Sequence, residues 1–129
     1  MKKLPSIKEA FEKEGLDINK IEITGCPERH VEAAKAFIKL CVGHDAVNPT
    51  WNPDYTDYSQ IKYENWWNMG SSSGVGFSFF DFGLWVTASA VGSRLVSETR
   101  EKANAIGNSE EYQELFKTMM VYNRPVEKE

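Results

Sequence analysis

A chain of 129 residues, 41% hydrophobic and 12% aromatic, is long enough for one domain with a real core and too apolar to stay disordered. Its net charge of −4 works against non-specific binding to nucleic acid and is too mild and mixed for a polyanionic nucleic-acid mimic. No run of about 18 apolar residues is present, and the N-terminal lysines precede no apolar stretch of the signal-peptide kind. Neither a membrane span nor export is therefore expected, and the cytoplasm is the default compartment.

The pattern predicts one α+β domain over 1–129, with N-terminal helices in 6–47, a loop over 48–60, a sheet over 62–96 and C-terminal helices in 98–122. Ser6 and Glu9 form a capping box for a first helix, with Ile7, Ala10 and Phe11 on one face. Gly15 is its stop, and Leu16 folds back on the last turn. The stretch 17–24 reads as an extended connector or a short edge strand.

Pro27 suits the first position of a longer helix. Val31, Ala34, Phe37, Ile38, Cys41 and Val42 define its expected buried face, with Lys35 and Lys39 opposite. Ala46 and Val47 continue the apolar stripe, so the helix should pass Gly43 and stop at Asn48-Pro49. His44 then reads as an exposed histidine near the helix end, since no metal or acid–base partner has a defined spacing to it. Cys26 and Cys41 form no CxxC or zinc pattern and read as reduced thiols on helical sequence. No metal or other cofactor is expected.

Residues 48–60 hold the turn formers Asn48-Pro49, Asn52-Pro53-Asp54 and Asp57, with Trp51, Tyr55 and Tyr58 among them. The sheet follows. Tyr63 and Trp67 alternate against Glu64, Trp66 and Asn68, so both strand faces carry aromatics. Gly70 to Gly74 is the expected hairpin loop, Val75 to Phe79 the next strand, Phe80 to Gly83 a turn or bulge, and Leu84 to Ala90 a further strand. Arg94 to Val96 would close an antiparallel meander of three or four strands. Ser97 or Thr99 caps a helix ending at Gly107. Asn108, with Glu111 three residues on, starts another carrying Tyr112, Leu115, Phe116, Met119 and Met120 on one face. The tail 126–129 is expected to fray.

Motifs for chemistry do not survive inspection. Gly70-Ser71-Ser72-Ser73-Gly74 matches GxSxG, but a nucleophile elbow needs a following helix and a downstream histidine, whereas His30 and His44 lie upstream. No Gly-Lys-Ser/Thr triplet or complete GxGxxG is present. With no nucleophile or acid–base constellation, the reading leans away from an enzyme. The aromatic set Trp51, Tyr55, Tyr58, Trp66, Trp67 and Trp85 is the remaining feature. Core packing is its first explanation, a protein interface the second, and stacking on a small ligand or glycan the third. Asp81 and Arg94 are expected to form a structural ion pair across the sheet.

Trp51-x-Pro53-Asp54-Tyr55, then Lys62-Tyr63 with Trp66-Trp67, then Gly76-Phe77-Ser78-Phe79 and Gly92-Ser93-Arg94-Leu95, form an ordered series. The series resembles a group of short uncharacterised proteins encoded by gut anaerobes and their prophages or mobile elements. The chain departs from that pattern at Glu64-Asn65, where proline is usual, and at Val96-Ser97. The resemblance covers about residues 46–120 and implies a shared small α+β fold and a phage association, with no activity or functional residue attached. The leading expectation is a non-enzymatic binding or accessory protein of phage or mobile-element kind, acting through a protein partner. A ligand- or glycan-binding domain built on the aromatics of 51–67 is the alternative. No nucleic-acid or membrane partner is expected, and a homo-oligomer is compatible with the sequence.

Overall fold

The computed structural model describes residues 3–125, so the expectation for the tail 126–129 lies outside the described residues. Among the described residues four helices and one hairpin make up an α+β fold: α1 (Ile7–Lys13), α2 (Val31–Val47), β1 (Lys62–Asn68), β2 (Ser78–Trp85), α3 (Arg100–Gly107) and α4 (Glu110–Met120). Short 3-10 turns occupy Ile18–Lys20, Glu28–His30 and Ser93–Leu95.

The start of α1 follows its sequence signature. The Ser6 hydroxyl accepts the Glu9 N–H at 3.0 Å, and the Glu9 carboxylate accepts the Ser6 N–H at 3.2 Å. Gly15, at φ +72°, lets the Leu16 N–H reach back to the Phe11 carbonyl. The Leu16 side chain nonetheless stays largely exposed. The following stretch is a 3-10 turn capped by Asp17, not an edge strand.

Helix α2 starts later than Pro27 suggests, because a 3-10 turn intervenes. It runs through Gly43 to Val47, as the continuing apolar stripe requires. Its buried face differs in part from the expected one: Val31 is buried as expected, and Cys41 and Val42 pack half-buried against the core. Ala36, Leu40, Gly43 and Val47 turn inward, while Phe37 and Ile38 are exposed. Gly43 is the physical reason. A Cβ there would lie 2.6 Å from the Tyr112 hydroxyl and 2.7 Å from Ile7 Cδ1. The bare backbone at Gly43 lets α4 and α1 approach closely, and that fixes the rotation of α2. The same rotation buries His44, correcting the exposed position expected for it. Cys41 is half-buried, whereas Cys26 is exposed and precedes the helix.

The core joins Ile7 and Phe11 of α1, Leu40 and Val47 of α2, Leu95, Ile106 of α3, and Tyr112 and Phe116 of α4. Thr99 caps α3 by accepting the Lys102 N–H. Ser109, not Asn108, caps α4 by accepting the Tyr112 N–H. Glu111 is thereby released from a capping box, and its carboxylate accepts the Ile7 N–H at 2.8 Å, pinning the start of α1 to α4.

The sheet has two strands, not three or four. Strands β1 and β2 pair antiparallel, with Lys62 opposite Trp85 and Asn68 opposite Ser78, and Phe80 is the extra residue of a bulge. Phe80 to Gly83 thus continues a strand instead of turning. After Trp85 the chain leaves the ladder. Ser89 accepts the N–H groups of Val91 and Gly92, and Gly92 takes φ +79°, so this segment turns where a strand would bond its neighbour. The expected strand at 94–96 is reduced to a 3-10 turn and one bridge, in which Ser97 exchanges two hydrogen bonds with Tyr63.

Candidate functional site

Alternation along β1 sorts its side chains. Asn65 and Trp67 face the helices: Asn65 donates to the Ala103 carbonyl of α3 at 2.7 Å, and Trp67 packs 4.7 Å from the Phe116 ring and stacks on Phe77. Lys62, Glu64 and Trp66 face the other way, where one would expect solvent. Yet Lys62 and Glu64 are fully buried. The loop 51–60 and the segment after β2 cover them.

Lys62 enters a cage of carbonyls. Its Nζ donates to Asp54 at 2.5 Å, Val86 at 2.6 Å and Gln60 at 2.8 Å, and lies 4.9 Å from the centre of the Tyr55 ring. Three donors meet three close acceptors, so the ammonium is fully engaged. The loop presents those carbonyls through two Asx turns. Asp54 accepts from Thr56, and Asp57 accepts from Ser59. The same contacts hold both carboxyls below their usual pKa, Thr56 being the main cause for Asp54 and Ser59 for Asp57.

Glu64 is the second centre. Its Oε1 accepts the Trp85 indole N–H at 2.5 Å and, more weakly, that of Trp66 at 3.4 Å, while Oε2 accepts the Ser89 hydroxyl at 3.1 Å. Trp66 lies flat across β2: a Cβ on Gly83 would fall 2.2 Å from its indole, so only glycine fits there. The Tyr55 hydroxyl is enclosed without a hydrogen bond. Burial raises its pKa, Ser89 opposes the rise, and the Glu64 charge adds to it.

The aromatic residues singled out in the sequence therefore separate. Tyr55, Trp66 and Trp85 gather round Lys62 and Glu64. Trp67 packs half-buried against the core, Trp51 is half-buried in the loop, and Tyr58 stands in solvent at 79% exposure. The sequence pattern assigns no site role to Lys62, Glu64 or Ser89. The available signal was a lysine and a glutamate in phase with Trp66 on a strand aromatic on both faces.

The expected Asp81–Arg94 pair does not form. The ion pairs among the described residues are Lys8–Glu12, Lys35–Glu32 and Lys102–Glu98. Asp81 instead accepts the N–H of Phe82 at 2.8 Å. Arg94, carried off by the segment after β2, acts on Cys41 of α2. Burial pushes that thiol up and the Arg94 charge opposes it.

Chemically, this arrangement ties segments together. The Glu64 carboxylate accepts two indole N–H groups on Oε1 and the Ser89 hydroxyl on Oε2, three of its roughly four lone-pair directions. The GxSxG serines lie in the hairpin loop before a strand, with Ser71 and Ser73 bonded to each other. His44 is sealed between Leu40, Tyr112 and Phe116, away from them. Among the described residues no cluster of His, Cys, Asp and Glu could hold a metal, and no helix is long and apolar enough to cross a membrane. No family model matches the chain, and no curated protein or solved structure is significantly similar to it.

Proposed function

We propose that this is a non-enzymatic binding protein of phage or mobile-element kind that acts through protein contacts made by its hairpin. The observation that carries the reading is where exposed apolar side chains lie. Of the twelve large exposed hydrophobics among the described residues, seven fall within residues 61–85: Ile61, Trp66, Met69, Val75, Phe80, Leu84 and Trp85. Scattered exposed apolar residues are ordinary, whereas a concentration on one element marks a contact surface. Trp66 and Trp85 have the character of interface anchors. Each is about two-fifths exposed, and each has its polar atom already held by Glu64. Fixing an aromatic ring before binding lowers the entropy lost on association.

The alternative, a ligand or glycan site, needs a concave wall beside the aromatics. Three cavities on the described residues lie away from these aromatics, one of about 280 Å³ between Leu4 and Val47 and two beside Leu16. The deciding experiment is affinity capture from the native host, with the wild-type chain and a Val75→Ser/Phe80→Ser variant as baits. Both positions are mostly exposed, so the variant should fold. A protein retained by the first and lost by the second supports the reading. Equal retention by both, or nothing retained, defeats it.

A further inference from the structure

One edge of the hairpin is bonded to another segment at Tyr63, and the other edge has no such backbone bridge among the described residues. Tyr63 of β1 turns its N–H and C=O away from β2 and exchanges both with Ser97. In an antiparallel ladder, a residue facing outward stands opposite one that also faces outward. Leu84 is opposite Tyr63, and Phe82 is opposite Asn65. Leu84 and Phe82 therefore direct their backbone groups away from β1, toward the free side of β2. The Phe82 N–H is capped by Asp81. No backbone bond from another segment among the described residues reaches Leu84. The side chains beside this edge are apolar: Leu84 is 50% exposed, and Phe80, the bulge residue, 62%.

We propose that this edge pairs with a second copy of the chain, β2 against β2 in antiparallel sense, so that two hairpins form one continuous four-stranded sheet. A two-fold axis at Gly83 is the register that uses these groups. It sets Phe82 opposite Leu84 of the other copy and Leu84 opposite its Phe82, so both outward-facing residues on each side find backbone partners. The same pairs join apolar side chains on the helix-facing side of the sheet. Charge placement favours self-pairing as well. The register puts Asp81 opposite the partner's Trp85, and the two Asp81 carboxylates stand about 13 Å apart along the sheet. That exceeds a Debye length of about 8 Å in physiological salt, so their repulsion is screened. Asp81 restrains the association, because its cap on Phe82 must give way to the partner's carbonyl.

This inference stands apart from the protein-contact reading above, since it concerns the backbone edge and a partner of identical sequence. The test is sedimentation equilibrium of the full chain from micromolar to near-millimolar concentration, with amide hydrogen exchange measured at both ends of the range. The wild-type chain is expected to pass from monomer to dimer, with Phe82 and Leu84 gaining protection as it does so. Leu84→Lys should weaken association at least about tenfold, a lysine on an edge being a known block to pairing. Asp81→Ala should strengthen it several-fold. Circular dichroism establishes that each variant folds, and the exchange data on the wild-type chain decide the matter even if Leu84→Lys does not. A monomer at every concentration overturns the proposal, as does a dimer in which Phe82 and Leu84 still exchange freely. A chain that stays monomeric yet pairs an added extended peptide at β2 overturns it too, by assigning the edge to a different partner.

Discussion

Lys62 donates from Nζ to the Val86 carbonyl at 2.6 Å, so the first residue of β1 holds the chain where it leaves β2. The same ammonium holds the loop at Asp54 and Gln60. One buried charge thereby joins β1, the loop 51–60 and the chain after β2.

Replacing Lys62 by methionine keeps the stem volume and removes the donors. The carbonyls of Asp54, Gln60 and Val86 then lose their partner. The expected cost is about 2–4 kcal/mol, from lost hydrogen bonds to a charged group. Urea denaturation measures it, and limited proteolysis should show cleavage appearing within 51–60. A change below about 1 kcal/mol would place the clamp among interactions of no consequence.

Glu64 permits a graded test. Glu64→Gln retains an acceptor oxygen for the Trp85 indole, whereas Glu64→Leu leaves the indole N–H groups and the Ser89 hydroxyl without one. The expected losses are about 1 kcal/mol for glutamine and about 2–3 kcal/mol for leucine. Tryptophan fluorescence should also shift more in the leucine variant, as Trp85 loses its anchor. Equal losses in the two variants would contradict the role given to the carboxylate.

His44 makes stability depend on pH. Burial lowers its pKa from the usual 6.5 to about 4, while its Nδ1 side contacts the Leu40 carbonyl at 2.7 Å and pulls the other way. Between those values the unfolded chain binds more protons than the folded one. Stability is therefore complete above about pH 6.5 and falls as the pH drops toward 4. The full contribution is about 3 kcal/mol. Urea midpoints from pH 4 to 7 for the wild-type chain, less those for His44→Gln, isolate this slope from that of the carboxylates. Parallel curves would show that His44 titrates normally.

Gly43 and Tyr112 should be coupled. Alanine at 43 gains about 1 kcal/mol of helix propensity but meets the Tyr112 hydroxyl and ring, and overpacking costs about 1–3 kcal/mol. Gly43→Ala is therefore expected to destabilise. Tyr112→Phe removes a buried hydroxyl that has no hydrogen-bond partner, and should be close to neutral. In the double variant part of the Gly43→Ala loss should return, because the nearest clashing atom is gone. Strict additivity in a double-mutant cycle would count against the contact.

Local signals were legible wherever a residue and its partner are close in sequence. The Ser6–Glu9 box, the Gly15 stop, the end of α2 at Val47, the hairpin loop around Gly70 to Gly74 and the amphipathic α4 can all be read from neighbouring residues. The inward face of α2 could not, because apolar residues surround much of that helix and only the approach of Tyr112 to Gly43 selects a side. Nor could the sheet's strand number be read. Residues 84–90 have strand composition, but Ser89 hydrogen-bonds its own backbone and Glu64, and that takes the chain off the ladder.

The candidate site divides in the same way. The sequence by itself determined that aromatics flank a hairpin, that no nucleophile or phosphate-binding pattern is present, and that the fold mixes helices with an antiparallel pair. Such features depend on residue type and short spacing. Only the tertiary structure decided that Lys62 and Glu64 are buried, that Tyr55, Trp66 and Trp85 gather on them while Trp67 packs against the core, and that the outer edge of β2 has no backbone bridge among the described residues. The burial of Lys62 and Glu64 depends on which distant segment crosses the outer face of the hairpin. A charged residue in a strand looks solvent-bound until the loop that supplies its carbonyls folds over it.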